Sequence, residues 1–422
     1  MKVLWVVNST LNDLSMDLFG KPSNGLWMDA LLSDFRGRKD YEIVVATTLP
    51  RRDSYRLQTE NITYYALPDD YPLLYNENKP GNIQAWKTLI ETEKPDLIQV
   101  WGTEFTHGLC ALRAADGIPS VIYMQGLLKS IAEKYRAGIS ERDLKKTRTL
   151  RDLLRRDSVL QQQAKFFAGA KKEAEMLRLA GNIISENEWC NSAVRAIVPK
   201  VKVYDCPLSV NKVFSEYRWD VRKVERHSII CTASGYTIKG LHCLLRAVAA
   251  LKDAYPDIKL YVPGKKMVAE KGLRAWLRKD GYTNYIERMI REKNLAENII
   301  WLGNLPQEKL AAEYAKRQVF VMPSSIENHS SSLKEAMIVG MPCVASAVGG
   351  IPEYVRNGES GFLYPFSDIS ALADCIRRIF EDDELATRLG NAAREDMQKL
   401  HGGEHLLERV TEIYQSMTGE KK

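Results

Sequence analysis

The chain contains no Cys-x-x-Cys pair. Its seven cysteines (Cys110, Cys190, Cys206, Cys231, Cys243, Cys343 and Cys375) are scattered, which argues against a disulfide frame or a zinc ribbon and for reduced thiols in a cytosolic protein. Histidine is scarce, with six in the chain. His401 and His405 flank Glu404, but Gly402-Gly403 between them reads as a helix boundary, and no further ligand stands at a suitable spacing for zinc. Long apolar runs are lacking as well. After Lys2 the stretch Val3–Val7 is too short for a signal peptide and is cut by Asn8, so it reads as a first strand. Residues 336–352 are free of charge but are broken at Gly340-Met341-Pro342, so they do not cross a bilayer. Nor is the net charge strong, at +6. The excess is local: residues 129–178 hold 14 Lys or Arg against 7 Asp or Glu, a balance of +7.

What is present is ordinary for a globular α/β protein. A length of 422 residues with 45% apolar and 27% charged residues suits two domains of roughly 200 residues each. Short apolar runs alternate with helical patterns at Val3–Val7, Ile43–Thr47, Ile62–Ala66, Leu97–Trp101 and Ser120–Met124. A second series follows at Ser228–Ala233, Ile258–Val262, Ile299–Leu302, Val319–Met322 and Cys343–Ala345. Strands spaced by helices imply two doubly wound parallel sheets. The junction is expected near Cys206–Asp220, where a further strand, Val201–Tyr204, gives way to Pro207, giving domains 1–210 and 211–402, with a last helix Leu406–Met417 beyond the break at His401-Gly402-Gly403.

The segment Pro323-Ser-Ser-Ile-Glu327-Asn-His-Ser-Ser-Ser-Leu-Lys-Glu335-Ala-Met-Ile-Val-Gly340-Met-Pro342 carries the most chemistry. Two carboxylates stand eight positions apart across a loop that runs into a helix, with a Ser-rich turn between them. Helix N-termini leave unpaired N–H donors and carry partial positive charge, which suits the phosphates of a nucleotide. Glu335 has a second reading, as the partner of Ser332 in a capping box. The flanking apolar strands favour a ligand site, because open parallel sheets bind ligands at the loops leaving their strands.

These residues resemble the family 4 retaining glycosyltransferases of the GT-B fold, whose hallmark is Glu-x7-Glu in this setting. The likeness extends to Thr232-Ala-Ser-Gly-Tyr-Thr-Ile-Lys239-Gly240, to Pro263-Gly264, to Asn298-Ile-Ile-Trp-Leu-Gly303-Asn-Leu305 and to Gly349-Gly350-Ile-Pro-Glu353. It is nearly complete over the C-terminal half. In the N-terminal half it is looser, carried by Asn24-Gly25-Leu-Trp27 and Trp101-Gly-Thr-Glu-Phe-Thr-His107. It implies two Rossmann-like domains facing across a cleft, with residues from about 403 to 422 crossing back to the first domain. It also implies transfer of a sugar, with retention, from a UDP- or GDP-linked donor to a glycan or lipid-linked acceptor, in surface polysaccharide biosynthesis.

On this resemblance Glu327 grips hydroxyls of the transferred sugar, and the N–H groups of His329, Ser330 and Ser331 meet the phosphates. Glu335 binds the ribose, and Leu305 contacts the base through its backbone. Lys239 supplies the positive charge that the departing diphosphate needs. The family pairs this lysine with an arginine about five residues earlier. Ser234 occupies that neighbourhood here, so the second cation is unidentified. Gly25 is expected to approach the diphosphate, or else is a plain turn glycine. The chain has no Asp-x-Asp. No metal or other cofactor is therefore expected, and protein cations and backbone N–H groups must serve.

On the acceptor side the family places a histidine after the Ser120–Met124 strand, where this chain has Gln125, which cannot act as a base. That fits a departing phosphate taking the acceptor proton on the same face. Glu104 and His107 are the other ionisable candidates, and His107 has a purely structural reading beside the functional one. The basic segment 129–178 is either a solvated helix face or a foot on anionic lipid at the inner face of the membrane. No nucleic-acid module surrounds it. Two rivals to transfer stand: an epimerase acting on nucleotide sugars, and a non-catalytic scaffold that binds them.

Overall fold

Short runs rich in Val, Ile and aromatic residues form strands here, and the amphipathic segments between them form helices that cover both sheet faces. The computed structural model describes residues 1–23, 26–69, 82–208, 210–268, 272–401 and 406–419. Fourteen strands are present among these residues. The first eight are β1 (Lys2–Val6), β2 (Glu42–Leu49), β3 (Tyr55–Thr59), β4 (Ile62–Pro68), β5 (Leu97–Trp101), β6 (Ser120–Tyr123), β7 (Asn182–Ser185) and β8 (Lys202–Asp205). They make one sheet in the order β3-β4-β2-β1-β5-β6-β7-β8. Pairing is parallel except between β3 and β4. The second sheet contains β9 (Glu225–Ile230), β10 (Lys259–Pro263), β11 (Ile299–Gly303), β12 (Arg317–Met322), β13 (Cys343–Ser346) and β14 (Phe362–Tyr364). Its order is β11-β10-β9-β12-β13-β14, parallel throughout. The fold is the expected α/β class, GT-B, with two Rossmann-like parallel-sheet units.

The period-2 alternation of a strand separates the core of the first sheet into two layers. Val3, Trp5, Ile43 and Val45 face one layer, while Leu4, Val6, Val44 and Ala46 face the other. The last helix, Leu406–Thr418, belongs to the first layer. Its Tyr414 hydroxyl accepts from Trp5 Nε1 at 2.9 Å and donates to the buried Gln99 on β5. The buried indole, the phenol and the amide oxygen are thus satisfied together, which lowers the cost of burying them, while the buried Gln99 Nε2 has no hydrogen bond among the described residues. The C-terminal helix accordingly packs on the first unit.

The division of the chain differs from a single boundary near residue 210. One compact unit comprises Met1–Lys129, Lys165–Ser209 and Glu404–Lys422, and the other Ser130–Ala164 and Val210–Gly403. The excursion 130–164 belongs to the second unit because its polar groups are satisfied there. His242 Nε2 donates to the Ala137 carbonyl at 2.8 Å, Asn284 donates to the Thr147 carbonyl at 3.0 Å, and Ser325 donates to the Lys134 carbonyl at 3.1 Å. The Tyr135 carbonyl accepts from Thr237 Oγ1. Burial pushes His242 down to about 4, so its ring is neutral, and Nδ1 accepts from the Tyr282 hydroxyl. The three strands not foreseen, β3, β7 and β14, have three to five residues each. Runs that short hold too little periodicity to be told from loop.

Candidate active site

In the second sheet the chain starts at the centre with β9, builds outward through β10 and β11, then returns to the other side of β9 with β12. The loops after β9 and β12 are therefore the pair at the topological switch point, where open α/β sheets hold ligands. These two loops carry Lys239 and Glu327. Lys239 Nζ lies 2.7 Å from Glu327 Oε1, and Ser324 Oγ donates to the same oxygen at 2.7 Å. Oε2 has no protein hydrogen bond among the described residues. The carboxylate is mostly covered and the ammonium is about a third exposed, so the pair faces solvent through the lysine.

Two glycines set this geometry. Lys239 closes a short 3₁₀ turn, Thr237–Lys239, and Gly240 follows at φ 72°. A Cβ at Gly240 would stand 1.8 Å from the Pro323 carbonyl oxygen, so only glycine lets the two loops touch. Gly349, at φ 55°, serves the Glu327 backbone in the same way: a Cβ there would fall 1.7 Å from the Glu327 carbonyl oxygen. Gly350 N–H donates to that carbonyl at 3.3 Å, and Ser325 N–H donates to the Ile238 carbonyl at 2.7 Å. The Thr237 and Ser325 hydroxyls bond the excursion at Tyr135 and Lys134, as described above. The excursion is thus fastened two residues before each member of the Lys239–Glu327 pair.

The helix after the loop is Ser331–Val339, closed by Gly340 at φ 85°. Its N-cap is Ser330, whose Oγ accepts from Leu333 N–H at 3.4 Å. The expected alternative, a capping box of Ser332 with Glu335, is therefore not formed, because the helix begins two residues earlier than that box requires. Ser331 and Ser332 occupy the first two helical positions, whose N–H groups have no intrahelical acceptor in any helix. Ser331 is exposed. The His329 ring stands against Tyr354, with centroids 4.8 Å apart. Glu335 is instead in the body of the helix, and burial pushes its carboxyl up to about 7, partly offset by the buried Tyr314 hydroxyl.

The other donor-side candidates lie at the same edge of the sheet. Ser234 follows β9 and donates to the Pro263 carbonyl at 3.3 Å, against Gly264 after β10. A Cβ at Gly264 would meet Ser234 Oγ at 2.5 Å, so the serine fills space that a larger residue could not. Leu305 follows β11, half-buried, before the helix Gln307–Lys316. Gly25 lies outside the described residues, as do Glu404 and His405.

In the first unit the switch point is between β1 and β5; the loop after β5 carries Glu104, and His107 stands in the first turn of the helix Thr106–Ala114 that follows. Gly102, at φ 89°, lies between two of the predicted residues: a Cβ there would meet Glu104 Oε2 at 2.2 Å and Gln125 Cδ at 3.4 Å. Burial raises the Glu104 carboxyl, opposed by the N–H groups of Glu104 and Thr103. His107 is apart in its role. Its ring is buried between Trp86 and Phe105, bonds the Val7 carbonyl and is pushed down to about 4 by burial. That is a neutral core histidine.

Sequence reasoning missed Glu173. It is buried, accepts from Thr103 Oγ1 at 2.7 Å and from Leu128 N–H at 3.0 Å, and burial pushes it up to about 7, with the Glu104 carboxylate adding to the rise. Its place inside a basic helical segment hid it, since a glutamate among lysines reads as a solvated charge. Ser324 was equally unmarked. Among the described residues no group of three or more His, Cys, Asp or Glu could hold a metal ion.

Comparison with known proteins accords with this arrangement. Residues 213–396 match the family model described as "Glycosyl transferases group 1". N-acetyl-alpha-D-glucosaminyl L-malate synthase of Bacillus anthracis is 28% identical over 137 residues, which is 32% of this chain and 35% of that protein. The chain thus spans about a third of that curated relative. Sucrose-phosphate synthase of Thermosynechococcus elongatus shares the fold over 100% of both chains, with a TM-score of 0.70 and 17% identity. The Anabaena protein HepE, solved in complex with UDP-glucose, does so over 99% of this chain and 100% of its own, with a TM-score of 0.65 and 16% identity.

Proposed function

We propose that this chain, whose residues 213–396 belong to the glycosyl transferases group 1, moves a sugar from a nucleoside diphosphate donor to a glycan or lipid-linked acceptor, with retention of configuration and without a metal ion. The observation that carries the reading is the Lys239–Glu327 pair at the switch point of the second sheet, set beside the N-terminus of the Ser331–Val339 helix. Glu327 Oε2 accepts a hydroxyl of the donor sugar while Oε1 stays bonded to Lys239 and Ser324. The ammonium and the free N–H groups of the helix start meet the charge that grows on the β-phosphate as the glycosidic bond breaks. Glu335 binds the ribose diol in its ionised form. The HepE complex with UDP-glucose supports a nucleotide sugar as donor. The base is uridine or guanosine, since contact through the Leu305 backbone does not choose between them.

No base is needed for the acceptor proton: the departing diphosphate oxygen takes it on the face where the new bond forms. Glu104 and Gln125 are the proposed acceptor groups of the first unit, binding hydroxyls rather than removing protons. Surface polysaccharide assembly at the cytosolic face of a membrane is the setting this chemistry suits. Seven free, buried cysteines accord with a reducing compartment, and among the described residues no helix is long and apolar enough to cross a membrane.

The test is product analysis with a panel of UDP- and GDP-sugars and glycan or lipid-linked acceptors. Transfer yields free nucleoside diphosphate and an α-linked product from an α-linked donor, and Glu327→Gln abolishes turnover while donor binding persists. An isomerised nucleotide sugar in place of free diphosphate would establish the epimerase, and unchanged turnover by Glu327→Gln would remove Glu327 from the mechanism.

A further inference from the structure

The excursion 130–164 has an inner side fastened to the donor loops and an outer side that no described residue covers. In the helix Leu150–Arg155, three leucines at positions i, i+3 and i+4 share one face. All three are exposed, and Leu154 is 76% exposed. This helix packs on the helix Leu273–Arg278, which presents Trp276, 54% exposed, and the exposed Leu277. Five large apolar side chains on two touching helices make a patch rather than scattered surface leucines, and such patches mark interaction sites.

The rim of the patch is cationic. Lys146, Arg148, Arg155, Arg156 and Arg278 are exposed, and none is in an ion pair among the described residues. The nearby acids are engaged instead: Asp143 faces Arg288, Asp157 pairs with Arg151, and Asp280 pairs with Lys265. We propose that this face seats the second unit on an anionic lipid bilayer, with Leu154 and Trp276 inserted at the headgroup boundary and the five cations on lipid phosphates. Tryptophan and leucine amid Lys and Arg is the composition of an interfacial element. Five unpaired cations repel a second copy of the same face, and a nucleic acid offers nothing to exposed leucines.

The footprint is narrower than the basic stretch 129–178, because the second half of that stretch carries the buried Glu173. It also reaches beyond the stretch, to Trp276 and Arg278. A lipid-linked acceptor would be met at such a face, and for that consequence alone the proposal rests on the transfer reading.

The experiment is sedimentation of the full chain with vesicles of phosphatidylcholine alone or with about 30% phosphatidylglycerol. Anionic vesicles should retain the chain and neutral ones should not, and salt should release it. Leu154→Asn and Trp276→Asn should each weaken partitioning about ten-fold. Arg155→Gln and Arg156→Gln should each weaken it about five-fold. All four are surface changes and should leave the melting temperature unmoved, which separates lost docking from lost folding. Equal partitioning into neutral and anionic vesicles, or variants that partition like the wild type, would overturn the proposal. So would a dimer in size-exclusion chromatography that Leu154→Asn disperses, since the face would then seat protein. Vesicles without donor or acceptor make the result independent of transferase activity.

Discussion

Donor affinity should depend on pH through Glu335. Burial pushes its carboxyl up to about 7, against an ordinary value of 4.5. About a tenth of free molecules then carry the charge at pH 6, and about nine-tenths at pH 8. A ribose diol donates two hydroxyl protons, so the ionised carboxylate, with acceptors only, is the form that binds it. Binding of an intact nucleotide sugar should therefore strengthen about ten-fold between pH 6 and pH 8, or about 1.4 kcal/mol, and level off above that. Isothermal titration calorimetry without acceptor measures this. Glu335→Gln should bind more weakly at pH 8 and show no such rise. A wild-type affinity that is flat or falls with pH would refute the ribose role, as would a rise that survives in Glu335→Gln.

Three further outcomes follow from the geometry. Gly349→Ala forces a Cβ onto the Glu327 carbonyl at a positive φ, at a cost of roughly 1–3 kcal/mol before the clash is counted. Turnover should collapse while circular dichroism stays native, and an unchanged kcat/KM would show that the loop is not held as described. Thr237→Val leaves the Tyr135 carbonyl without its donor, worth about 1–3 kcal/mol, and kcat should fall more than melting temperature, with Thr237→Ser restoring it. Glu173 sets a stability effect of defined sign. Its carboxyl is held near 7 in the fold, so as pH rises from 4.5 the unfolded chain loses the proton first and stability drops, by up to about 3 kcal/mol near pH 7 and no further above it. Urea midpoints at pH 5 and pH 8 should differ less in Glu173→Gln than in the wild type, and an equal difference would place the proton elsewhere.

Much of the site was legible because its signals are local. The spacing of Glu327 and Glu335, the strand before them and Gly340 after them are all visible within 20 residues, and the structure puts each on the element expected. What could not be read was long-range. Gly349 explains itself only once its approach to Glu327 is known, from 22 positions away. The excursion was assigned to the first domain because it interrupts that domain's sequence, whereas its backbone carbonyls find their donors at Thr237, His242, Asn284 and Ser325. The capping box failed for a smaller reason: three serines in a row offer competing caps, and packing chose Ser330. At His107, where the sequence left a functional and a structural reading side by side, the buried ring between two aromatics fits the structural one.

The account turns on Lys239 as the cation that holds the diphosphate at the helix start. Equilibrium binding of UDP and GDP to the wild type and to Lys239→Met, in the presence of a chelator, tests it directly. Loss of a charge-assisted bond predicts affinity weaker by about 10- to 100-fold in the variant, with wild-type binding indifferent to the chelator. Equal affinity in both proteins, or wild-type binding that the chelator abolishes, would contradict it.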